Sequence, residues 1–463
     1  MNDKKKLDKL VKKAKIRQQK FYDSKKLNVK YNVLLKLVKI CIKDIVKKRP
    51  KTREYNALIK TYKDEDGKVA HKTLGFIRNK PSINNIIDYV YNSNFIKENY
   101  ERKTVQDFAW RRFVELVDEK KLTPEDITKK IIKKFEEIHT WEIFFPLENI
   151  SLFVKSFKLG NYRLVNFNKY QEQKWKRSIS LYFKESPYPE NLGCYLSMLR
   201  GDFKNFLSGK VCAVIKIKKG DPRKAVSESE EEFQVFLSCI KYMSFRWYKD
   251  YREHRILIPG QNYDKIASYI GFSRTGGTAG TYRNKNPMPF EISKHIKNRM
   301  KSDGVYKLND ILKIEKNKRT PFQNSVLTAI RLYGDAVSDP DFSEAYVKLV
   351  TILEYLLVQG NRAISHNLAE GLSFLMARDY NERKEFYNYI KKLYQIRCDI
   401  VHEAKKNIDK KLYDAIHIEI YNLLLLLINI HHKFSDKKEF LEKIKEIKFG
   451  RRYTFQRKQL RIG

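Results

Sequence analysis

A chain of 463 residues with 42% hydrophobic and 13% aromatic residues holds enough apolar material for folded cores, which excludes wholesale disorder. Its length predicts roughly two to four domains. Lys and Arg total 95 against 55 Asp and Glu, a formal charge of +40; such an excess opposes folding through self-repulsion, and a polyanion relieves that repulsion, so nucleic acid leads the partner classes.

Residues 1–50 carry 18 Lys/Arg and 4 Asp/Glu. Leu34, Leu35, Leu37, Val38, Ile40 and Cys41 recur near helical spacing, so this stretch predicts basic helices and not a floppy tail. A turn is expected at DEDGK, residues 64–68. From 82 to about 140 the pattern is helical again, and Thr123-Pro124-Glu125-Asp126 reads as a capped helix start. Residues 1–140 are therefore read as one basic helical RNA-binding region.

The character changes near 143. The run IFFPLENISLFVKSFKLGNYRLVNF predicts strands broken at Pro146 and Gly160, and SISLYF (178–183) and VCAVIKI (211–217) predict two more. A helix is expected over 224–245. Residues 141–260 thus form a small α+β domain, followed by a basic linker region over 261–319. Within that linker, RTGGTAGTYRNKNP (274–287) carries three glycines with Arg274, Arg283 and Lys285. It reads as a loop suited to holding phosphates through main-chain N–H groups, or else as a linker.

From Pro321 the chain predicts a helical bundle, with helices to about Tyr333 and over 342–358, 366–378, 382–401 and 410–432. The bundle is assigned to 320–435. A basic tail at 436–463 ends in FGRRYTFQRKQLRIG, whose Arg451, Arg452, Arg457 and Lys458 alternate with aromatics, a mixture suited to RNA phosphates and bases. The fold class expected is mainly α with a small α+β middle domain. The apolar run LLLLLI at 423–428 is too short to cross a bilayer and reads as a buried helix. Cysteines at 41, 194, 212, 239 and 398 form no CxxC pair and no zinc spacing, and the N-terminus has no apolar signal core. Reduced thiols, a cytoplasmic location and no membrane partner are expected.

The segment YQIRCDIVHEAKK (394–406) carries Arg397 and His402 five residues apart, with Asp399 between them. RNA cleavage by the 2′-OH needs a proton acceptor, a proton donor and a fixed cation for the phosphorane charge. Histidine suits the proton work and arginine the phosphate. On an ideal helix five residues turn 500°, so the two side chains diverge by about 140°. They act together only if the helix ends or distorts between them, or if a second copy supplies the missing partner. Spacing alone is weak evidence, since such pairs arise by chance.

Leu353-Glu354-Tyr355-Leu356-Leu357, Leu393-Tyr394-Gln395-Ile396-Arg397 and Ile400-Val401-His402 together resemble the Apea-like branch of the HEPN superfamily over residues 320–435. The resemblance does not cover residues 1–140. It implies a C-terminal HEPN helical bundle acting as a metal-independent endoribonuclease, with no metal and no cofactor, catalytic Arg397 and His402, and a homodimer whose facing bundles make one composite site. Family members have a polar residue directly after the Arg; here that place is Cys398, so Asp399 is the candidate for orienting the pair, with Glu354 and Cys398 as supporting residues. Glu354 reads either as a contact of Arg397 inside the bundle or as a helix-face carboxylate balancing basic neighbours, and the second reading is favoured. Arg362 and His366 are one residue too close to make a second motif. His417, His431 and His432 read as core or surface residues.

HEPN ribonucleases belong mostly to prokaryotic anti-phage systems. The resemblance therefore implies a defence ribonuclease with RNA as partner. It is either a compact single-HEPN effector, similar to the type VI CRISPR nucleases, with a bound guide or structured RNA, or a guide-free abortive-infection ribonuclease. A non-catalytic RNA-binding HEPN protein is the alternative from another class.

Overall fold

The computed structural model describes residues 29–47, 81–109, 123–167, 173, 209–245, 256, 269–273, 276–280, 289–339, 341–360, 363–403 and 408–450. The expected turn at 64–68, the strand at 178–183 and the basic first 28 residues lie outside them. The chain is mainly helical with a small sheet, and it divides into two compact units: Met1–Ile143 with Lys216–Glu230, and Phe144–Ile215 with Glu231–Gly463.

In the first unit, α1 (Tyr31–Lys47) packs on α2 (Pro81–Tyr91) and α4 (Pro124–Glu136), with the short α3 (Asn94–Asn99) between. Leu34, Val38 and Cys41 are buried on one face of α1, while Ile40 stays half exposed, so the helical spacing selects the inner face. Thr123 caps α4 as expected: its side chain accepts from Asp126 N, and Asp126 reciprocates to the Thr123 N–H. Tyr100 is fully buried and donates to the carbonyls of Lys134 and Glu137, at 3.0 and 2.5 Å. Its ring lies where a Cβ on Gly220 would come within 1.9 Å, so only glycine fits there.

The strands are β1 (His139–Leu147), β2 (Ile150–Leu152), β3 (Phe157–Leu159), β4 (Tyr162–Asn166) and β5 (Val211–Lys219). Four of them form a sheet in the order β1-β5-β4-β3. Pro146 does not break β1, contrary to expectation, because β1 is an edge strand and proline's missing N–H costs no ladder bond at an edge. Gly160, at φ 60°, does turn the chain between β3 and β4. Helix α5 (Pro222–Phe245) follows, and in the larger unit its Phe233 and Phe236 stack on Phe145 and Tyr162, with centroids 4.2 and 4.8 Å apart.

The glycine-rich stretch departs from its reading as a loop. Gly276–Gly280 is a strand, β7, paired antiparallel with β6 (Tyr269–Ser273), so ladder pairing engages backbone groups that the loop reading left for phosphate. Nor is 289–319 a plain linker: β8 (Phe290–Ile292) pairs in parallel with β2, and α6 (Lys294–Ser302) and α7 (Leu308–Lys313) follow.

The C-terminal helices match the sequence expectation closely: α8 (Pro321–Val337), α9 (Phe342–Leu357), α10 (Ile364–Met376), α11 (Tyr380–Glu403) and α12 (Lys410–Ile430). Thr320 caps α8 with a reciprocal Gln323 contact. The leucine run is buried in α12, which packs on α8 and α9. Among the described residues, 410–433 is the one stretch long and apolar enough to cross a membrane, and most of it is covered by the rest of the protein. The region read as a tail begins with a further helix, α13 (Lys437–Lys448), whose Phe440, Leu441, Ile444 and Ile447 are buried where it packs on α8 and α10.

Candidate active site

Helix α11 carries the Arg397–His402 segment. It runs unbroken from Tyr380 to Glu403, so no helix end separates the two residues. Only Ile390 and Leu393 of its residues are buried, and its contacts are with α10 and α9. Tyr346 on α9 donates to the Leu393 carbonyl at 2.7 Å. In a regular helix that same carbonyl accepts from the Arg397 N–H, so α9 grips α11 one turn before Arg397.

Arg397 turns toward α9. Its Nε lies 3.5 Å from Oε1 of Glu354, and both side chains are about one-fifth exposed. The Nε is buried without a hydrogen-bond acceptor, so the contact is an ion pair longer than a hydrogen bond. Tyr394, one turn earlier, places its ring 5.9 Å from the guanidinium carbon, and its hydroxyl lies within the field of the Glu354 carboxylate. Burial first, then the Glu354 carboxylate, pushes the Tyr394 hydroxyl up to about 12. At neutral pH it therefore remains a donor. Of the two readings of Glu354, the contact with Arg397 is the one realised.

His402 is exposed on the last turn of α11. The 140° divergence holds on this continuous helix: Arg397 faces α9 while His402 faces outward, roughly 7.5 Å farther along the axis. One chain does not aim both at a single point. Asp399 accepts from the Gln395 amide at 2.8 Å, one turn back along α11. Cys398 is half-buried. Sequence reasoning missed the role of Tyr394; the available signal was its place three residues before Arg397, where side chains on a helix meet.

Three other histidines, His417, His431 and His366, have hydrogen-bonding neighbours of their own. His417 is fully buried with Nε2 2.6 Å from the Tyr333 hydroxyl, and His431 is buried with Nδ1 3.3 Å from the Gln323 amide. His366 pairs through Nδ1 with Tyr387 at 2.8 Å. Among the described residues no group of three or more His, Cys, Asp or Glu is placed to hold a metal ion. The proposed RNA-binding residues Arg274, Arg283, Lys285, Arg451, Arg452, Arg457 and Lys458 lie outside the described residues.

No family model, no curated protein and no solved structure matches the chain.

Proposed function

We propose that the chain is a metal-independent HEPN endoribonuclease that acts as a homodimer. One observation carries the reading: Arg397 is held toward α9 by its ion pair with Glu354, with the Tyr394 ring beside it, while His402 stands exposed on the same unbroken helix. A fixed cation and imidazoles for the two proton transfers suit 2′-OH transesterification, and the divergence of Arg397 and His402 calls for a second copy to complete the site. In this mechanism one imidazole accepts the 2′-OH proton. The 2′-oxygen attacks phosphorus, and the charge that builds on the phosphorane is met by the Arg397 guanidinium. The 5′-oxygen leaves with a proton from an imidazolium. The products are a 2′,3′-cyclic phosphate and a 5′-hydroxyl.

The +40 charge supports a bound RNA beyond the substrate. The fuller form of the proposal is an anti-phage effector, similar to a compact single-HEPN type VI CRISPR nuclease, that carries a guide or structured RNA. The test is cleavage of RNA by the purified chain in EDTA, with Arg397→Ala and His402→Ala as controls. Each substitution is expected to lower the rate by about 10²–10⁴ while RNA binding stays. Cleavage that is lost in EDTA or survives both substitutions overturns the mechanism. Sequencing of co-purified RNA reads out the guide directly: a repeated hairpin with variable spacers supports it, and a random mixture refutes it.

A further inference from the structure

Many lysines of the larger unit stand beside carboxylates: Lys316 by Glu231 at 2.5 Å, Lys348 by Asp339 at 2.5 Å, Lys443 by Glu446 at 3.0 Å and Lys445 by Glu442 at 2.8 Å. Helix α6 is different. Its sequence KHIKNRMKS contains no acid, and none of Lys294, Lys297, Arg299 and Lys301 takes part in an ion pair among the described residues. Met300 is buried. At 100° per residue Lys294, Lys297 and Lys301 fall within about 60° of one another on the outward side, with Asn298 beside them. Lys294 opens the helix, where the macrodipole disfavours a cation, so helix stability does not account for its charge.

The pattern continues on the sheet. Lys158 of β3 and Arg163 of β4 are directly opposite and both exposed. A like-charged pair in that position weakens strand pairing. Tyr306, in the 3₁₀ turn Val305–Lys307 just after α6, donates to the Lys158 carbonyl at 2.9 Å, and its ring packs edge-on to Phe157 at 6.2 Å. The hairpin and the end of α6 therefore adjoin. Across 158, 163 and 291–310 the chain places seven Lys/Arg against three carboxylates, Glu291, Asp303 and Asp310.

From this juxtaposition we infer that α6, the turn at Lys307 and the Lys158–Arg163 pair form one surface that binds the phosphate backbone of RNA. The occupant is RNA and not a lipid surface, because α6 exposes no large apolar side chain, which a helix lying in a membrane interface needs. The inference rests on the proposed reading only in taking RNA as the partner; the surface is separate from Arg397 and His402 in sequence and in chemistry.

The test compares two triple variants of the full chain with equal loss of charge. Lys294→Gln/Lys297→Gln/Lys301→Gln removes unpaired lysines, and Lys348→Gln/Lys443→Gln/Lys445→Gln removes paired ones. Anisotropy of a fluorescein-labelled RNA hairpin is read across a salt series. The first variant is expected to lose affinity on the order of tenfold, and the magnitude of its log–log salt slope should fall by roughly 2–3. The second should keep the wild-type slope. Equal slopes in the two variants overturn the inference, as does capture of phosphatidylserine vesicles with no binding of RNA. Should the α6 variant fail to fold, Lys158→Gln/Arg163→Gln carries the test. It relieves a like-charge pair and should lower the slope by roughly 1–2; an unchanged slope refutes the surface. The Arg397→Ala chain separates the two proposals. Wild-type chain that binds through this surface but never cleaves refutes the ribonuclease and leaves the surface standing. Cleavage that depends on Arg397, with no effect of α6 on binding, does the reverse.

Discussion

Arg397 Nε and Glu354 Oε1 approach to 3.5 Å across the contact of α9 and α11, and the Tyr394 ring lies 5.9 Å from the guanidinium carbon. The guanidinium is thus gripped at its Nε edge. In the proposed reaction its two terminal nitrogens are the groups that meet phosphate, and Glu354 and Tyr394 act as positioning residues. Glu354→Gln keeps an oxygen acceptor but loses the charge, and it is expected to lower kcat about tenfold with little change in KM. Tyr394→Phe should have a smaller effect of the same sign. Single-turnover cleavage at saturating protein measures this; a rise in KM at constant kcat shows instead that the pair only binds RNA.

The continuous α11 has a consequence for assembly. If the composite site draws Arg397 from one copy and His402 from the other, mixing the Arg397→Ala and His402→Ala chains should restore part of the cleavage that each lacks alone. Light scattering must show that the mixed species is a dimer. A wild-type chain that is fully active as a monomer at assay concentration refutes this arrangement.

Lys241 offers a test of electrostatics away from the candidate site. Its Nζ donates to Ser338 Oγ at 2.5 Å, and burial pulls its pKa down from 10.5 to about 8. With a folded value below the unfolded one, the unfolded chain holds more protons between pH 8 and 10.5. The stability lost to this group is therefore full below pH 8 and disappears as pH rises to 10.5. Lys241→Met should stabilise the protein by about 1–3 kcal/mol at pH 7. The gain should vanish near pH 10.5. Urea unfolding of both chains across that range checks the sign.

Tyr333 and His417 form a buried hydrogen bond of 2.6 Å, and the Tyr333 ring meets edge-on the ring of Tyr242, which stacks on Tyr421. Tyr333→Phe leaves the imidazole nitrogen in an apolar surround and is expected to cost about 1–3 kcal/mol. Denaturant unfolding should show a lower midpoint at an unchanged slope. Cleavage, if the proposed site is correct, should be unaffected below the melting range.

The five bundle helices and the caps at Thr320 and Thr123 were readable from sequence because both are local properties. Thr320-Pro321 and Thr123-Pro124 satisfy orphan N–H groups within one turn, and the apolar spacing of α9 and α12 selects a buried face whatever lies against it. Helix α13 was legible in the spacing of Phe440, Leu441, Ile444 and Ile447, but the dense lysines around them read as a tail. What only the tertiary structure decided depends on elements far apart in the chain. The parallel pairing of β2 with β8 joins residues some 140 positions apart, and the pairing that draws Gly276–Gly280 into a strand comes from its partner β6. The same holds for the choice of Glu354 as the partner of Arg397. A carboxylate on α9 has several basic neighbours within reach, and the packing of α9 against α11, gripped by Tyr346 on the Leu393 carbonyl, determines which one it meets. The sequence by itself singled out Arg397 and His402 as candidates; the partial burial of Arg397 and the exposure of His402 came from which face of α11 the neighbouring helices cover.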